Sequence, residues 1–284
     1  MPVPMKLKVG ICSFSYGGNG GIRSEVPDVR DWMLDTFAWA RKEPRIETLM
    51  NYEISDTPIT MTRNRAVVDA RKMGLDVLVM VDSDMKPDCE PGGKPFFPEA
   101  FDFLYKSYAR GPVVIGAPYC GPSPNECVYV FKWESSSNSQ ANPNHKLTMF
   151  SRREASQMSG IGNCAALPTG LIMFDMRAFD LTEPVDMNSK PWFYYDWSDK
   201  YQCEKASTED VTVTRDISLA GVQKLGYNPL YCAWDSWAGH WKPHLVTKPQ
   251  ELMADNVSHK YAEAYESKLR GGDKYTCVHS HLTE

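Results

Sequence analysis

The stretch Leu75–Met85, LDVLVMVDSDM, decides how the rest of the chain is read. Leu75 to Val81 is an almost wholly apolar run, which reads as a strand buried on both faces, the kind found in parallel sheets covered by helices. At its end stand Asp82, Ser83 and Asp84. Upstream the pattern alternates. Lys6 to Phe14 is a first strand candidate. Asp28 to Arg41 carries Trp32, Met33, Phe37, Trp39 and Ala40 at helical spacing and is closed by Pro44. Arg45 to Tyr52 is a second strand. Thr60 to Lys72 places Met61, Ala66, Val67 and Ala70 at helical spacing, with Gly74 as the stop. This strand–helix alternation predicts an α/β fold with a mostly parallel central sheet, flanked by helices, whose ligands sit at the carboxyl ends of the strands.

Downstream the spacing predicts a helix over Pro98–Ala109 and a strand over Pro112–Ala117. The polar stretch Glu134–Asn144 reads as an exposed loop or hairpin tip. Thr169 to Phe179 reads as a buried strand turning into a helix, and the aromatic segment Trp192–Trp197 follows it. Val211–Leu225 is a helix stopped by Gly226, Leu230–Trp234 a last strand, and Tyr261–Leu269 a terminal helix before a polar tail. At 284 residues the chain fits one large domain or two small ones. With 42% hydrophobic and 24% charged residues it can bury a full core, which excludes disordered and fibrous classes. Lys and Arg total 31 against 36 acidic residues, a net charge of -5, which argues against a non-specific grip on a nucleic-acid backbone. The eight cysteines form no CxxC pair and read as free thiols of a reducing compartment. No window approaches the ~18 uninterrupted apolar residues of a membrane span, and no leader is visible, so the expectation is a soluble, cytoplasmic protein.

Two aspartates one residue apart at the mouth of a sheet can hold a hard divalent cation, Mg²⁺ or Mn²⁺, together with a diphosphate. As a bare tripeptide the same residues also suit the start of a loop. Arg63, Asn64 and Arg65 open the preceding helix and can meet a phosphate or nucleotide, or simply form a solvated face. Glu209 and Asp210 precede a helix, where a carboxylate suits either the helix dipole or proton abstraction. His240 can complete a divalent site with two aspartates, or pack between Trp237 and Trp241; His244 is a rival ligand. Cys277, His279 and His281 could bind a soft metal but lie in the tail. The glycines Gly17, Gly18, Gly20 and Gly21 match neither a Walker A loop nor a dinucleotide fingerprint.

The helix opening with Arg63-Asn64, running through Ala66 and Ala70 and leading past Gly74 into VLVMVDSDM, resembles the nucleotide-binding half of GT-A fold glycosyltransferases, and is most similar to glycosyltransferase family 2. The resemblance covers Lys6 to His244 and implies a Rossmann-like, single-domain fold. It also implies a nucleotide-sugar donor, UDP- or GDP-linked, whose diphosphate is held by Mn²⁺ or Mg²⁺. On that resemblance Asp84 is the direct metal ligand, Asp82 lies near the ribose or metal, and His240 completes the site. Arg63, Asn64, Ser83, Thr169 and Gly170 are donor-binding residues. Thr169-Gly170 begins a segment similar to the one under the transferred sugar, and Asp210, beside Glu209, is the general base of an inverting reaction. The QxxRW motif of processive enzymes is absent.

The domain expected is 1–250, with a donor half over about 1–117 and an acceptor half over about 160–250, followed by a C-terminal helix and tail over 251–284. The function expected is transfer of a sugar to an acceptor hydroxyl. Glycan, protein, small molecule and modified nucleic acid all remain open as acceptor. Two alternatives stand beside it: a nucleotidyltransferase of related fold, and a carbohydrate-binding protein that kept the fold without the chemistry.

Overall fold

A computed structural model of the chain describes residues 5–14, 27–55, 58–121, 126–133, 147–184, 191–197, 205–241 and 245–246. The first part runs β1 (Leu7–Phe14), α1 (Pro27–Ala40), β2 (Ile46–Ile54), α2 (Ile59–Lys72), β3 (Val77–Asp82), a short β4 (Met85–Lys86), α3 (Phe96–Ser107) and β5 (Val114–Gly116). A hairpin of β6 (Phe131–Trp133) and β7 (Leu147–Met149) precedes α4 (Arg152–Gln157) and β8 (Ile161–Asn163). Then come β9 (Leu171–Asp175), a 3₁₀ helix (Met176–Thr182), β10 (Asp196–Trp197), β11 (Lys205–Ser207), α5 (Glu209–Leu225), β12 (Leu230–Ala233), β13 (Gly239–Trp241) and β14 (Leu245–Val246).

The central sheet has seven strands in the order β2-β1-β3-β9-β5-β12-β8, with members from both halves of the chain. β2, β1, β3, β5 and β12 run the same way, and β9 and β8 run against them. The mostly parallel α/β arrangement expected from the alternation is therefore present. The reversal at β9, wedged between β3 and β5, was not legible in its composition, because a strand buried on both faces carries no signal of direction.

Side-chain alternation explains how one sheet serves two cores. Cys12 and Phe14 of β1, Leu78 and Met80 of β3, and Ile172 and Phe174 of β9 join Ala66 and Val67 of α2, Phe179, and Val213 and Ile217 of α5. Their alternates, Val9 and Ile11, Val77, Val79 and Val81, and Leu171 and Met173, join Val29 and Trp32 of α1 and Phe97 and Phe101 of α3. Helix ends match their residues. α2 finishes on Arg71 and Lys72, which suits the negative end of the helix dipole, and Gly74 follows with φ +65°. α5 ends at Gly226 in the left-handed region, its N–H donating to the Val222 carbonyl.

Strand ends then fix where chemistry can happen. The carboxyl ends of β1, β3 and β5 and the start of the reversed β9 meet at one edge, where the Asp82 N–H donates to the Gly170 carbonyl and the Ser83 N–H to the Phe14 carbonyl. The expected hairpin around 134–144 has its flanking strands β6 and β7 paired antiparallel; its tip lies outside the described residues. The same holds for the Gly17–Gly21 cluster, for His244, and for everything after Val246, including the expected helix at 261–269 and the tail Cys and His residues. Among the described residues no helix is long and apolar enough to cross a membrane.

Gly221 offers a test of how α5 is seated. A methyl group there would lie 2.2 Å from Pro229 Cδ and 3.1 Å from the Tyr227 carbonyl oxygen, both rigid neighbours. Alanine normally gains about 1 kcal/mol over glycine inside a helix, whereas overpacking costs about 1–3 kcal/mol. Gly221→Ala is expected to destabilise, read as a lower urea midpoint; a raised midpoint would mean that α5 is free to shift off β12.

Candidate functional site

Four elements deliver the site. β3 ends on Asp82, and the turn after it carries Asp84 into β4. β4 pairs antiparallel with β13, placing Met85 opposite His240 and Lys86 opposite Gly239. That register brings His240 Nε2 to 3.2 Å from Asp84 Oδ2, while the Trp241 N–H donates to the Asp84 carbonyl at 2.7 Å. The start of α5 supplies Glu209 and Asp210, and the chain after β5 supplies Tyr119.

Arg63 lies beneath these groups. It projects from α2 with only 3% of its surface exposed. Its Nη2 donates to both Asp82 oxygens, at 3.0 and 2.9 Å, and its Nη1 to Glu209 Oε1 at 2.9 Å. Burial pushes the Asp82 carboxyl above its ordinary range, against the pull of Arg63, and the nearby Asp84 and Asp210 charges push the same way as burial. Glu209 is raised for the same first reason, with Arg63 again opposing. A guanidinium suits this place because its planar fork can satisfy two carboxylates at once.

The expected site residues therefore divide. Asp82, Asp84, Asp210, Glu209 and Arg63 are brought into one electrostatic cluster, and His240 joins through Asp84. Arg63 does not stand at the surface as a phosphate donor; it is spent on Asp82 and Glu209. Asn64 is likewise committed, its amide donating to the Thr60 and Phe193 carbonyls and its oxygen accepting from the Phe193 N–H. Ser83 and Thr169 are buried. Gly170 lies at the site, where an added methyl group would fall 2.7 Å from the Tyr119 hydroxyl and 3.0 Å from Met85 Sδ. Asp210, only partly buried, accepts from the Thr208 hydroxyl and from the Val211 N–H. Of the aromatic segment, Trp192 packs edge-on against Phe179 and donates to its carbonyl, and Phe193 is wholly buried, so these two rings are structural.

Tyr119 was not singled out in the sequence, although it lies just beyond a parallel strand, where ligands bind. It is buried, and desolvation raises its phenol well above the ordinary value, with Asp210 and Asp82 adding to the shift and the Gly170 N–H, which donates to it, opposing. Tyr195 reaches Glu209 with a hydrogen bond, and Tyr129 senses the Asp210 charge. Among the described residues no three His, Cys, Asp or Glu side chains are gathered as a complete metal cage. Asp84 and His240 form the pair that could supply part of one.

No family model matches the chain, and no curated protein matches it. Among solved structures it is similar to protein A197 from STIV, at 12% identity and a TM-score of 0.47, over 86% of this chain and 95% of that one. It is also similar to a UDP-glucose pyrophosphorylase complexed with UDP-glucose, at 10% identity and a TM-score of 0.38, over 93% and 100% of the two chains. A third is 4-diphosphocytidyl-2C-methyl-D-erythritol synthase from Anaerococcus prevotii, at 10% identity and a TM-score of 0.34, over 92% and 96%. Likeness at this level says nothing of function, which has to come from the site itself.

Removing the buried cation should expose its role. Arg63→Met leaves Asp82 and Glu209 buried without their partner, and breaking such a pair costs about 3–5 kcal/mol near neutral pH. Both carboxyls are already raised in the folded chain and would rise further, so the native state keeps protons that the unfolded chain has released above about pH 4. Rising pH then favours unfolding, and the variant's deficit against the parent should grow steadily from pH 5 to pH 8 in urea titrations. A deficit that stays constant across that range would show that the two carboxylates do not depend on Arg63.

Proposed function

We propose that this chain is a divalent-cation-dependent glycosyltransferase that moves a sugar from a nucleoside diphosphate donor to an acceptor hydroxyl. The observation that carries the reading is the Asp84–His240 pair at the mouth of the sheet, where Asp84 and Asp210 both act electrostatically on Asp82. Asp84 Oδ2 and His240 Nε2, which hydrogen-bond each other at 3.2 Å, would be the two protein groups to hold a divalent cation. Carboxylate and imidazole are both accepted by Mn²⁺, and the remaining positions would fall to diphosphate oxygens and water, as is usual where a cation is held by few protein groups plus substrate phosphates. Asp82, with both oxygens accepting from Arg63, acts through that guanidinium rather than as a first ligand.

Charge balance supports the same reading. Arg63 meets Asp82 and Glu209, and Asp84 and Asp210 act on these carboxyls in turn, so that among the described residues of this cluster carboxyl groups outnumber cations. A nucleoside diphosphate would be repelled from such a surface unless a cation came with it. Bound there, Mn²⁺ or Mg²⁺ would neutralise charge developing on the leaving diphosphate. The protein's own residues do the rest. Arg63 holds the start of α5 against the end of β3. Asp210, whose neighbours are a hydroxyl and a backbone N–H rather than a guanidinium, takes the acceptor proton. Glu209, bound to Arg63 and to Tyr195, sets the orientation of the helix start.

Asp210→Asn is expected to lower transfer by about 10²–10⁴-fold, the usual worth of a general base, while Mn²⁺-dependent UDP or GDP binding persists. Transfer at the parent rate would remove Asp210 from that role. A saturating nucleotide with Mn²⁺ should stabilise the parent by about 2.7 kcal/mol at a hundred times its Kd, seen as a raised melting temperature, and Asp84→Asn should abolish that rise. Pyrophosphate release from a nucleoside triphosphate and a sugar phosphate, with no sugar transfer, would instead assign a nucleotidyltransferase.

A further inference from the structure

His240 has an unusual setting for a residue meant to present one nitrogen in a fixed direction. Its Nε2 faces Asp84, but its Nδ1 is buried and has no hydrogen-bond partner among the described residues. A histidine that binds metal is normally oriented by a carbonyl or carboxylate on its second nitrogen. Here backbone pairing between β13 and β4 fixes the main chain of His240 and leaves the ring to be held by packing. The neighbour that holds it is Tyr119, whose ring centroid lies 5.2 Å away at an interplanar angle of 69°, an edge-to-face contact.

Tyr119 is itself fixed from several sides. Its hydroxyl accepts from the Gly170 N–H, and the Gly170 carbonyl accepts from the Asp82 N–H at 2.9 Å. Its carbonyl accepts from the Tyr129 N–H at 3.1 Å, and its ring meets that of Tyr129 at 5.8 Å and 86°. The preceding Pro118 carbonyl accepts from the Ala238 N–H, two residues before His240. Tyr119 thus lies against Gly170, whose carbonyl meets Asp82, and follows Pro118, which is tied to Ala238 just before the strand that carries His240.

We infer that Tyr119 is a positioning residue for the cation pair: its ring, packed against Gly170 and Tyr129, holds the His240 imidazole with Nε2 toward Asp84, in place of the missing hydrogen bond to Nδ1. This rests on the proposed reading of Asp84 and His240 as cation ligands. The ring matters more than the hydroxyl, because the contact with His240 is aromatic. Gly170 matters because any side chain there would drive into the Tyr119 ring, whose Cζ would lie 2.9 Å from the new methyl group.

The test is Mn²⁺ alone titrated into the full chain, with free Mn²⁺ read by electron paramagnetic resonance. The parent is expected to bind and His240→Ala to lose binding. Tyr119→Leu should weaken Mn²⁺ binding by about 10–100-fold, the range for loss of an orienting partner. Tyr119→Phe, which keeps the ring, should stay within about threefold of the parent. Rescue by the conservative variant separates orientation from general damage. Gly170→Ala reaches the same ring from the other side, leaves Tyr119 intact, and should weaken binding as Tyr119→Leu does. If Tyr119→Leu does not fold, the comparison of Gly170→Ala with Tyr119→Phe decides. Parent-like Mn²⁺ affinity in a folded Tyr119→Leu, or in Gly170→Ala, overturns the positioning role while the His240→Ala result leaves the ligand pair standing. A parent that does not bind Mn²⁺, or an unaffected His240→Ala, overturns the ligand pair and the positioning role together.

Discussion

A guanidinium buried under the mouth of the sheet is the interaction on which the candidate site depends. Charge transferred out of water costs several kcal/mol unless it is met by good partners, and Arg63 is met by both oxygens of Asp82 and by Glu209. The cost runs both ways, since burial disfavours the ionised form of both carboxyls and Arg63 opposes that shift. Arg63 also lies over the Phe14 ring, at 5.8 Å, so the tie extends to the end of β1. One side chain therefore joins α2, the ends of β1 and β3 and the start of α5. It sorts the acidic residues into two kinds. Asp82 and Glu209 are paired with the guanidinium, while Asp84 pairs with His240 and Asp210 with the Thr208 hydroxyl and the Val211 N–H.

The second constraint is backbone direction. Because β9 runs against its neighbours, its first residues reach the same edge as the last residues of β3 and β5. That is how Gly170, remote in sequence, comes to accept from the Asp82 N–H and to press on Tyr119. A small antiparallel ladder, β4 against β13, performs the matching task for His240. The parallel strands supply a platform, and the two reversals bring in the groups that the platform lacks.

Much of this was legible in the sequence. Long apolar runs such as Val77–Val81 announce buried strands whatever their partners, and the periodicity of Ala66, Val67 and Ala70 announces the inner face of α2. The acidic residues after β3 and at the start of α5 were visible because they come in pairs at element ends, places where a loop start or the helix dipole also accepts them. What stayed hidden was pairing. Nothing local tells that Arg63 turns inward to two carboxylates instead of outward to a phosphate, or that Asn64 binds the Phe193 backbone. The direction of β9 and the short strands β4 and β13 were hidden for the same reason, since each exists only by virtue of a partner far along the chain. Tyr119, a single tyrosine after a strand, carries no pattern in the sequence; only its contacts with Gly170 and His240 give it meaning.

The reversed strand has a consequence for how the molecule comes into being. β3, at the middle of the platform, gains its second neighbour only when Val77–Val81 meets Leu171–Asp175, and β5 waits for the same segment. During synthesis the amino-terminal β-α-β portion must hold one open, strongly apolar edge until β9 emerges, a long interval at ribosomal speed. Non-local pairing of this kind slows folding, because the entropy of closing the intervening chain is lost before any contact rewards it. The Asp82–Arg63 pair, formed between neighbouring elements β3 and α2, needs no such wait.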